Sequence, residues 1–439
     1  MANPLSEAAV EAVELDAFAK DIPNLIQHDE SLYQLFHENA TVVPVSNTTA
    51  AGGVSRPAFR VPLRIQGGAP ITQGTGNGDS MGRGTGSQWV GLAISPIFLF
   101  NVCEITFLSR IATEGRKRGL FNVQAQELNN SFKQFIQGID GLIPGDGSGY
   151  LDIIPTSATI NNNTGSGPSK SSIVGLNNAF RFTDQQVVQV FSAPGGTDRG
   201  TFTISFVDPV TNTIYSSGAL PSGTAAGDYL IVAGASGAAG ASLLGLAAWQ
   251  VNSNSGTIGG VNRANYPGRL STPTIDLAGK SIALSTGYRM NTLLLRALGN
   301  TNTALKSGLF VVGPDQAMQV ANLYMNVIMA DGAANKGDTA PDMVKKNWPK
   351  TYAGYPLKVC MDQTPGRIDM LALDYWYLGE LLPAELYDFG GGLTVVPVPD
   401  ITNGGYLTSS LFSYVCGFNL ANSNPRAGCY VTNAAQPLI

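Results

Sequence analysis

At 439 residues the chain is long enough to bury a large core and to form two or three lobes. Only 13% of its residues are charged, against about a quarter in ordinary soluble domains. The net charge of −5 argues against a dedicated nucleic-acid-binding protein, which would present a basic surface. A surface with so few charges indicates β structure with short polar turns, or extensive burial against partners.

The charge is distributed unevenly. Residues 1–50 hold eight acidic residues and one lysine, a net of −7, whereas residues 51–118 hold eight basic and three acidic residues, a net of +5. One interpretation is that the acidic arm of one subunit lies near the basic segment of a neighbouring copy. The alternative is that both are solvated surfaces. The candidate inter-subunit contact residues are Glu7, Glu11, Glu14, Arg56, Arg60, Arg64, Arg83 and Trp89.

The first elements are an arm and a hairpin. Residues 6–20 are predicted to form a short amphipathic helix, and the arm from there to about residue 55 is predicted to be an extended tether. Apolar residues then alternate with polar ones at 59–65 and again at 90–94, which is the period of half-buried strands. Eight glycines between residues 67 and 86 rule out a third regular element. Because an isolated ribbon is marginally stable in water, this projecting hairpin is expected to be covered by another copy of the chain.

A long helix is predicted after the hairpin. Apolar residues step by three and four positions through Phe121, Ala125, Leu128, Phe132, Phe135, Ile136 and Ile139. Phe132 and Phe135 are both expected to be core residues, and apolar residues at 107–111 suggest a backward extension to about residue 105. The helix is expected to end near Gly141 and Pro144, with a tight turn at 145–149.

The remaining chain mixes strands and helices. Short runs of apolar and aromatic residues between Pro and Gly turns predict a small all-β module at 171–233, inserted into a larger body. Further elements are predicted as a helix at 282–298, a strand at 309–312, a helix at 314–329, and strands at 357–361, 370–373, 393–398, 413–419 and 428–432.

No constellation of catalytic residues is recognisable. Glycines 234, 237 and 240 between a strand and a helix are similar to the phosphate-binding turn of dinucleotide-binding proteins, but no acidic residue lies between Asp228 and Asp276 to bind a ribose. The uncharged stretch 229–251 lacks a basic flank, which argues against a membrane span. The N-terminus lacks the pattern of a signal peptide. We therefore expect no catalytic, cofactor-binding or metal-binding residues.

Cysteine and histidine usage agrees with that expectation. The histidines, His28 and His37, both lie in the arm, and the cysteines show no C-x-x-C spacing. Reduced, buried thiols are predicted, with neither a zinc site nor a disulfide framework. The four cysteines are Cys103, Cys360, Cys416 and Cys429.

The order of elements resembles the major capsid proteins of tailed bacteriophages, which have the Hong Kong 97-type fold. Four local strings carry the resemblance: 132–149 is similar to the end of that family's spine helix, 308–316 to the opening of its axial domain, 352–359 to a later axial strand, and 417–427 to the closing strand of its peripheral domain. The resemblance covers nearly the whole chain apart from 171–233.

The fold class implied is α+β with an arm (1–55), an extended hairpin or E-loop (56–97), and a β-rich peripheral domain with a spine helix (98–170). The inserted β module (171–233) is followed by more of the peripheral domain (234–308), the α/β axial domain (309–392) and C-terminal peripheral strands (393–439).

The function that the resemblance implies is structural and non-enzymatic. Pentamers and hexamers of the chain would tile an icosahedral shell around double-stranded DNA, with portal, scaffolding and decoration proteins as further partners. The protein would be located in the virion, assembled in the host cytoplasm, without cofactor or membrane. No lysine lies between Lys20 and Lys117, so the cross-linking through a hairpin lysine that some members perform is not possible here. The alternatives are another assembling structural protein, such as a tail-tube or surface-layer subunit, and a nucleotide-binding enzyme using Gly234–Gly240.

Overall fold

The computed structural model describes residues 31–49, 55–67, 86–106, 123–162, 171–235, 237–238, 240–266, 268–298, 307–331, 351–390, 393–399 and 406–436. The α-helices described are α1 Leu32–Asn39, α2 Val123–Leu142, α3 Leu246–Trp249, α4 Leu284–Leu298 and α5 Pro314–Asp331. The strands described are β1 Thr41–Pro44, β2 Ser46–Thr49, β3 Ser55–Gln66, β4 Gln88–Ile94, β5 Ile97–Thr106, β6 Tyr150–Ile153, β7 Thr159–Asn161, β8 Ser171–Val174, β9 Val187–Phe191, β10 Asp198–Asp208, β11 Thr213–Ser216, β12 Tyr229–Val232, β13 Thr257–Ile258, β14 Val261–Asn262, β15 Thr274–Asp276, β16 Gly308–Val312, β17 Thr351–Tyr352, β18 Tyr355–Val359, β19 Ile368–Ala372, β20 Trp376–Leu386, β21 Val396–Pro399, β22 Tyr406–Asn422 and β23 Gly428–Thr432.

A five-stranded sheet is built around the long strand β22. It has the order β1-β20-β22-β21, and β5 pairs with β22 as well. One face of this sheet packs on helix α2, where Tyr414 stacks with Phe135 at a ring distance of 6.3 Å and donates a hydrogen bond to the carbonyl of Leu128 at 3.0 Å. The predicted long helix is therefore confirmed. At residues 105 and 106 the predicted backward extension is wrong, because they belong to β5, and its remaining part lies outside the described residues.

The prediction of an extended tether up to residue 55 is wrong for residues 31–49. Ser31 caps helix α1 by accepting a hydrogen bond from the backbone of Gln34, and the apolar residues Leu32, Tyr33 and Phe36 are buried. Strand β1 then joins β20 in parallel at the edge of the five-stranded sheet. Eight residues give too short a helical pattern to stand out in the sequence. The helix predicted at 6–20 lies outside the described residues.

The hairpin is formed by β3 and β4, as predicted, and its tip at 68–85 lies outside the described residues. A third strand, β2, covers the outer edge of β3. The inward-facing side chains of β3, from Phe59 to Ile65, are buried within the same subunit. The hairpin is covered, as expected, but on this face the cover comes from the same subunit and not from another copy of the chain.

A seven-stranded antiparallel sheet contains the predicted β module. Its order, β6-β12-β9-β10-β11-β8-β7, adds the strands at 150–153 and 159–161 to the predicted range 171–233. The module is tied to the rest of the chain by buried polar groups. Arg181 donates two hydrogen bonds, of 3.1 and 2.9 Å, to the carbonyl of Gly141 in the last turn of α2. Asn178 donates to the carbonyls of Met361 and Gln363 at 2.8 and 3.1 Å.

The third large sheet has six strands in the order β15-β23-β19-β16-β18-β17 and forms a second core with α4 and α5. The predicted helices at 282–298 and 314–329 and the strands near 309, 357, 370 and 428 are confirmed. Strand β20 was not predicted. Strand β23 joins this sheet, whereas β20 joins the five-stranded sheet, so both pairings cross the predicted boundary at residue 392. The division into seven segments stays a prediction.

The glycine-rich segment at 145–149 is the tight turn that the sequence predicts. Asp146 accepts hydrogen bonds from the backbone and the hydroxyl of Ser148 at 2.9 and 2.6 Å. Gly149 has a φ of 83°, and a Cβ atom at that position would lie 2.7 Å from the Cβ of Ala235. A side chain is therefore excluded at this residue both by backbone conformation and by space.

Candidate assembly surfaces

The outward face of the hairpin brings together three of the predicted contact residues. Arg64 on β3 lies directly opposite Trp89 on β4, and both side chains are exposed, Trp89 by 59%. Arg60 is exposed on the same face of β3, four residues away, which corresponds to about 13 Å along a strand. We call Arg60, Arg64 and Trp89 the hairpin surface. It combines two guanidinium groups with a solvent-exposed indole ring.

The other predicted contact residues are not brought into this surface by the described structure. The backbone of Arg56 lies in β3, where it pairs with Thr48 of β2. Arg83 and the glutamates Glu7, Glu11 and Glu14 lie outside the described residues. Their place in an interface stays a prediction.

A second exposed surface lies on strand β5, on the face of the five-stranded sheet that points away from α2. Phe98, Phe100 and Val102 alternate along the strand and are exposed, Phe100 by 71%. In the sheet they lie opposite Gly417, Val415 and Ser413 of β22. A Cβ atom on Gly417 would lie 2.9 Å from the ring of Phe98, so the absence of a side chain there allows the ring to lie flat on the sheet.

Acidic residues flank this apolar stripe. Glu104 follows Val102 on the same face of β5, and Glu385 of β20 lies opposite Val415, in the row of Phe100. With four residues along the strand and two strand spacings across the sheet, the two carboxylates are about 16 Å apart. We call Phe98, Phe100, Val102, Glu104 and Glu385 the sheet surface. It is an apolar stripe with one carboxylate beyond Val102 and a second in the row of Phe100, two strands away.

The sheet surface was not predicted from the sequence. Its signal is the alternation of exposed large side chains along 97–106, but the intervening residues Ile97 and Leu99 are also apolar. A strand that is apolar on both faces shows no period of two, and this stretch also precedes a strong helical pattern.

The described residues offer little for catalysis. They contain no group of three or more His, Cys, Asp and Glu side chains that could hold a metal ion. All four cysteines are free, and burial raises the pKa of Cys416 and of Cys429 to about 12, which keeps both thiols protonated at neutral pH.

The glycine turn at 234–240 does not belong to a dinucleotide-binding unit in the described structure. Strand β12, which precedes it, pairs antiparallel with β6 and β9, and the helix that follows, α3, has four residues. A Cβ atom on Gly237 would lie 2.8 Å from the side chain of Ile231, so this glycine is needed for packing. In the part of the chain that is described, no helix is both long and apolar enough to cross a bilayer.

Comparison with known proteins shows similarity in structure without similarity in sequence. No family model matches the chain, and no curated protein matches it. The chain is similar to that of the cyanophage A-1(L) capsid asymmetric unit, with a TM-score of 0.50 and 12% identity over 95% of this chain and 97% of that one. A capsid chain of the native GTA particle matches with a TM-score of 0.45 and 12% identity over 95% of this chain and 94% of that one.

A chain of Gordonia phage Cozz matches with a TM-score of 0.45 and 12% identity, over 95% of this chain and 91% of that one. The similarity to the cyanophage capsid chain extends over nearly the full length of both chains. The predicted α+β fold class is confirmed, and the chain has the fold of a phage capsid subunit of the Hong Kong 97 type.

Proposed function

We propose that this chain is the major capsid protein of a tailed phage, which assembles as pentamers and hexamers into an icosahedral shell around double-stranded DNA. The observation that carries the proposal is the sheet surface, because the described residues of the subunit leave an apolar stripe of two phenylalanines and a valine uncovered. In a soluble protein such a stripe marks a site of association. The fold supports the same function.

The partner of the sheet surface is the hairpin surface of a second copy. One surface offers exposed Phe98, Phe100 and Val102, with Glu104 next along β5 and Glu385 in the row of Phe100 across the sheet. The other offers Trp89 opposite Arg64, with Arg60 four residues away on β3. The arginines are about 13 Å apart and the carboxylates about 16 Å, so each charge of one surface can lie near an opposite charge of the other. Aromatic and Arg side chains are the residue types that dominate interface energetics.

Two different surfaces that bind each other generate a head-to-tail interface. Such an interface closes into a ring when the rotation between copies allows it, and otherwise continues as an open array. Rings of five or six copies are the units that a shell of this kind needs. The packaged DNA is held mainly by enclosure, since the net charge of −5 provides no general attraction for phosphate. No enzymatic activity is part of the proposal. The proposal includes portal, scaffolding and decoration proteins as further partners. It also places assembly in the host cytoplasm.

The test compares two identical substitutions on exposed valines. Val102→Asp places a carboxylate in the sheet surface, whereas Val210→Asp places one on a turn of the β module, where the side chain is 88% exposed. Wild type and Val210→Asp should form rings of five or six or closed shells, seen by light scattering and negative-stain microscopy. Val102→Asp should stay a folded monomer. Normal particles from Val102→Asp would disprove the role of the sheet surface, and helical tubes from the wild type would favour a tail-tube subunit.

A further inference from the structure

We propose that residues 31–49 act as a strap that holds the hairpin against its own subunit, so that the hairpin is freed only when the strap detaches. The inference concerns the single subunit, and it holds or fails independently of the assembly proposed above. The strap consists of α1, β1 and β2. Its two ends hold different parts of the molecule.

The first anchor of the strap is the buried carboxylate of Asp140, in the last turn of α2. Its Oδ1 atom accepts hydrogen bonds from the backbone N–H of Tyr33 at 2.8 Å and from the hydroxyl of Ser31 at 3.2 Å. A negative charge at the first turn of a helix is stabilised by the unpaired N–H groups and by the helix dipole. Asp140 therefore fixes the beginning of α1 to the long helix.

The second anchor is Glu380 of β20, which is contacted by two side chains one helical turn apart. The hydroxyl of Tyr33 donates to its Oε1 at 2.9 Å, and the imidazole Nε2 of His37 lies 3.6 Å from its Oε2. The same hydroxyl accepts a hydrogen bond from the backbone N–H of Ala384 at 3.3 Å. Burial and the neighbouring Glu380 raise the pKa of Tyr33 well above its ordinary value, so it remains a hydrogen-bond donor at any pH of interest.

The connection within the strap between the strand that pairs with the five-stranded sheet and the strand that pairs with the hairpin is very short. Strand β1 pairs with β20 from Thr41 to Pro44, and β2 pairs with β3 from Ser46 to Thr49. Val45 alone separates the two strands. Since one residue covers at most about 3.6 Å, β3 cannot move away from the five-stranded sheet while both pairings persist.

The hairpin itself rests on the same strand that holds the strap. The ring of Phe59 packs on Gly379, the residue next to Glu380. On the other strand of the hairpin, the backbone N–H of Ala93 donates to the carbonyl of Gly259 at 3.0 Å. Residues 379 and 380 thus hold the hairpin and the strap at adjacent positions, which couples their release.

The amide of Ala93 gives a specific test. It lies on β4, which does not pair with the strap, and its hydrogen bond to Gly259 reports whether the hairpin is docked. We expect Tyr33→Phe, which removes the hydrogen bond to Glu380, to raise the exchange rate of this amide about tenfold, measured by hydrogen exchange with fragment resolution at 88–94. The matched control is Tyr288→Phe, an exposed tyrosine of α4, which should change nothing there.

The outcome that overturns the proposal is a rise in exchange confined to residues 31–49 in Tyr33→Phe. If that variant does not fold, exchange of the wild type over a denaturant series decides. The strap amides and Ala93 should then show the same denaturant dependence because they open as one unit, whereas different slopes would show that the hairpin is released independently of the strap.

Discussion

Phe59 fills the space that a side chain on residue 379 would occupy. A Cβ atom on Gly379 would lie 2.0 Å from the Cδ1 and Cε1 atoms of the ring, far closer than van der Waals contact. Gly379 lies within β20, where glycine is unfavourable because it leaves the strand without a side chain to pack. The glycine is therefore explained by the ring that rests on it, and this contact sets the distance between hairpin and sheet.

We expect Gly379→Ala to force Phe59 out of place and to lower the free energy of unfolding by about 1–3 kcal/mol. Phe59→Ala alone should cost about 3–5 kcal/mol, because the ring is fully buried. In the double variant the new methyl group occupies part of the vacated space, so the two losses should not add, which a double-mutant cycle measures by denaturant titration. Gly91→Ala is the control, since a Cβ atom there meets nothing within 4 Å.

Reversing the charges of the hairpin surface should prevent assembly without affecting the fold. In the variant Arg60→Glu with Arg64→Glu, two new carboxylates would face Glu104 and Glu385 across the proposed interface and repel them. In the single subunit Arg60 and Arg64 are both exposed, so their replacement should not disturb the fold. We expect the free energy of unfolding to change by less than about 0.5 kcal/mol and particle yield to collapse. Arg269→Glu, on an exposed loop, should assemble normally. If particle yield of the wild type were insensitive to salt, the electrostatic part of this explanation would be wrong.

The two phenylalanines of α2 should differ in their effect on stability. Phe135 is 5% exposed and stacks on Tyr414, so Phe135→Ala should cost about 3–5 kcal/mol. Phe132 is 36% exposed, and the expectation that it is an equal core residue is wrong. We expect Phe132→Ala to cost about 1–2 kcal/mol, reflecting its ring contact with Tyr414 at 5.3 Å. Chemical denaturation of both variants provides the comparison, and equal losses would contradict it.

Arg181 should be necessary for the attachment of α2 to the β module. Arg181→Met keeps an unbranched side chain but leaves the buried carbonyl of Gly141 without its two donors, and we expect a loss of about 1.5–3 kcal/mol. Arg181→Lys retains the charge and one donor, so its loss should be smaller. If both variants have the same denaturation midpoint as the wild type, the hydrogen bonds from Arg181 to the carbonyl of Gly141 are not needed for stability and the prediction is wrong.

Asp152 should make the subunit less stable as the pH rises. Burial raises its pKa in the folded state, in spite of hydrogen bonds from Asn177 and Asn178 that favour the charged form. The folded state then binds more protons than the unfolded one, whose carboxyl titrates near about 3.9, so the contribution is fully present below that pH and is lost as the pH rises through the higher folded-state value.

Asp276 provides a control of opposite sign. A backbone hydrogen bond from Ala278 lowers the pKa of its carboxyl, so its contribution is lost as the pH falls. We expect the stability difference between wild type and Asp152→Asn to decrease from pH 3.5 to 6.5, and that between wild type and Asp276→Asn to increase. Slopes of the same sign in the two denaturation series would contradict this assignment.

The elements with long, clean periods could be predicted from the sequence. The stripe through Phe135 and Ile139 gives α2, and the alternation around Val61 and Leu92 gives the hairpin, because each pattern repeats over several residues. The burial of the hairpin face could not be predicted, since periodicity shows that one face is apolar but not what covers it. Gly379 and Gly259 pack against this face of the hairpin. Nothing in the sequence around these two glycines indicates that contact.

The candidate site was predicted in part, for a comparable reason. Arg60 and Arg64 stand out because their charge interrupts an apolar strand, and the structure places both on the exposed face. The sheet surface depends on which face of β5 packs on α2, and that is decided by the pairing of β5 with β22, more than 300 residues later in the chain. Long-range pairing of this kind leaves no local pattern.

That pairing also determines when the subunit can complete its fold during synthesis. Strand β1 cannot complete its pairing until Glu380, the partner of Pro44, has been synthesised. Strand β5 cannot pair until β22, which ends at Asn422, has been synthesised. At a translation rate of about 5–20 residues per second, the first strand is exposed on the ribosome for roughly 20–70 s before its partner exists. Throughout that interval the apolar face of the hairpin and both edges of β5 are open to other chains. The topology therefore leaves the apolar surface of these early strands exposed during most of synthesis, a state that is prone to aggregation.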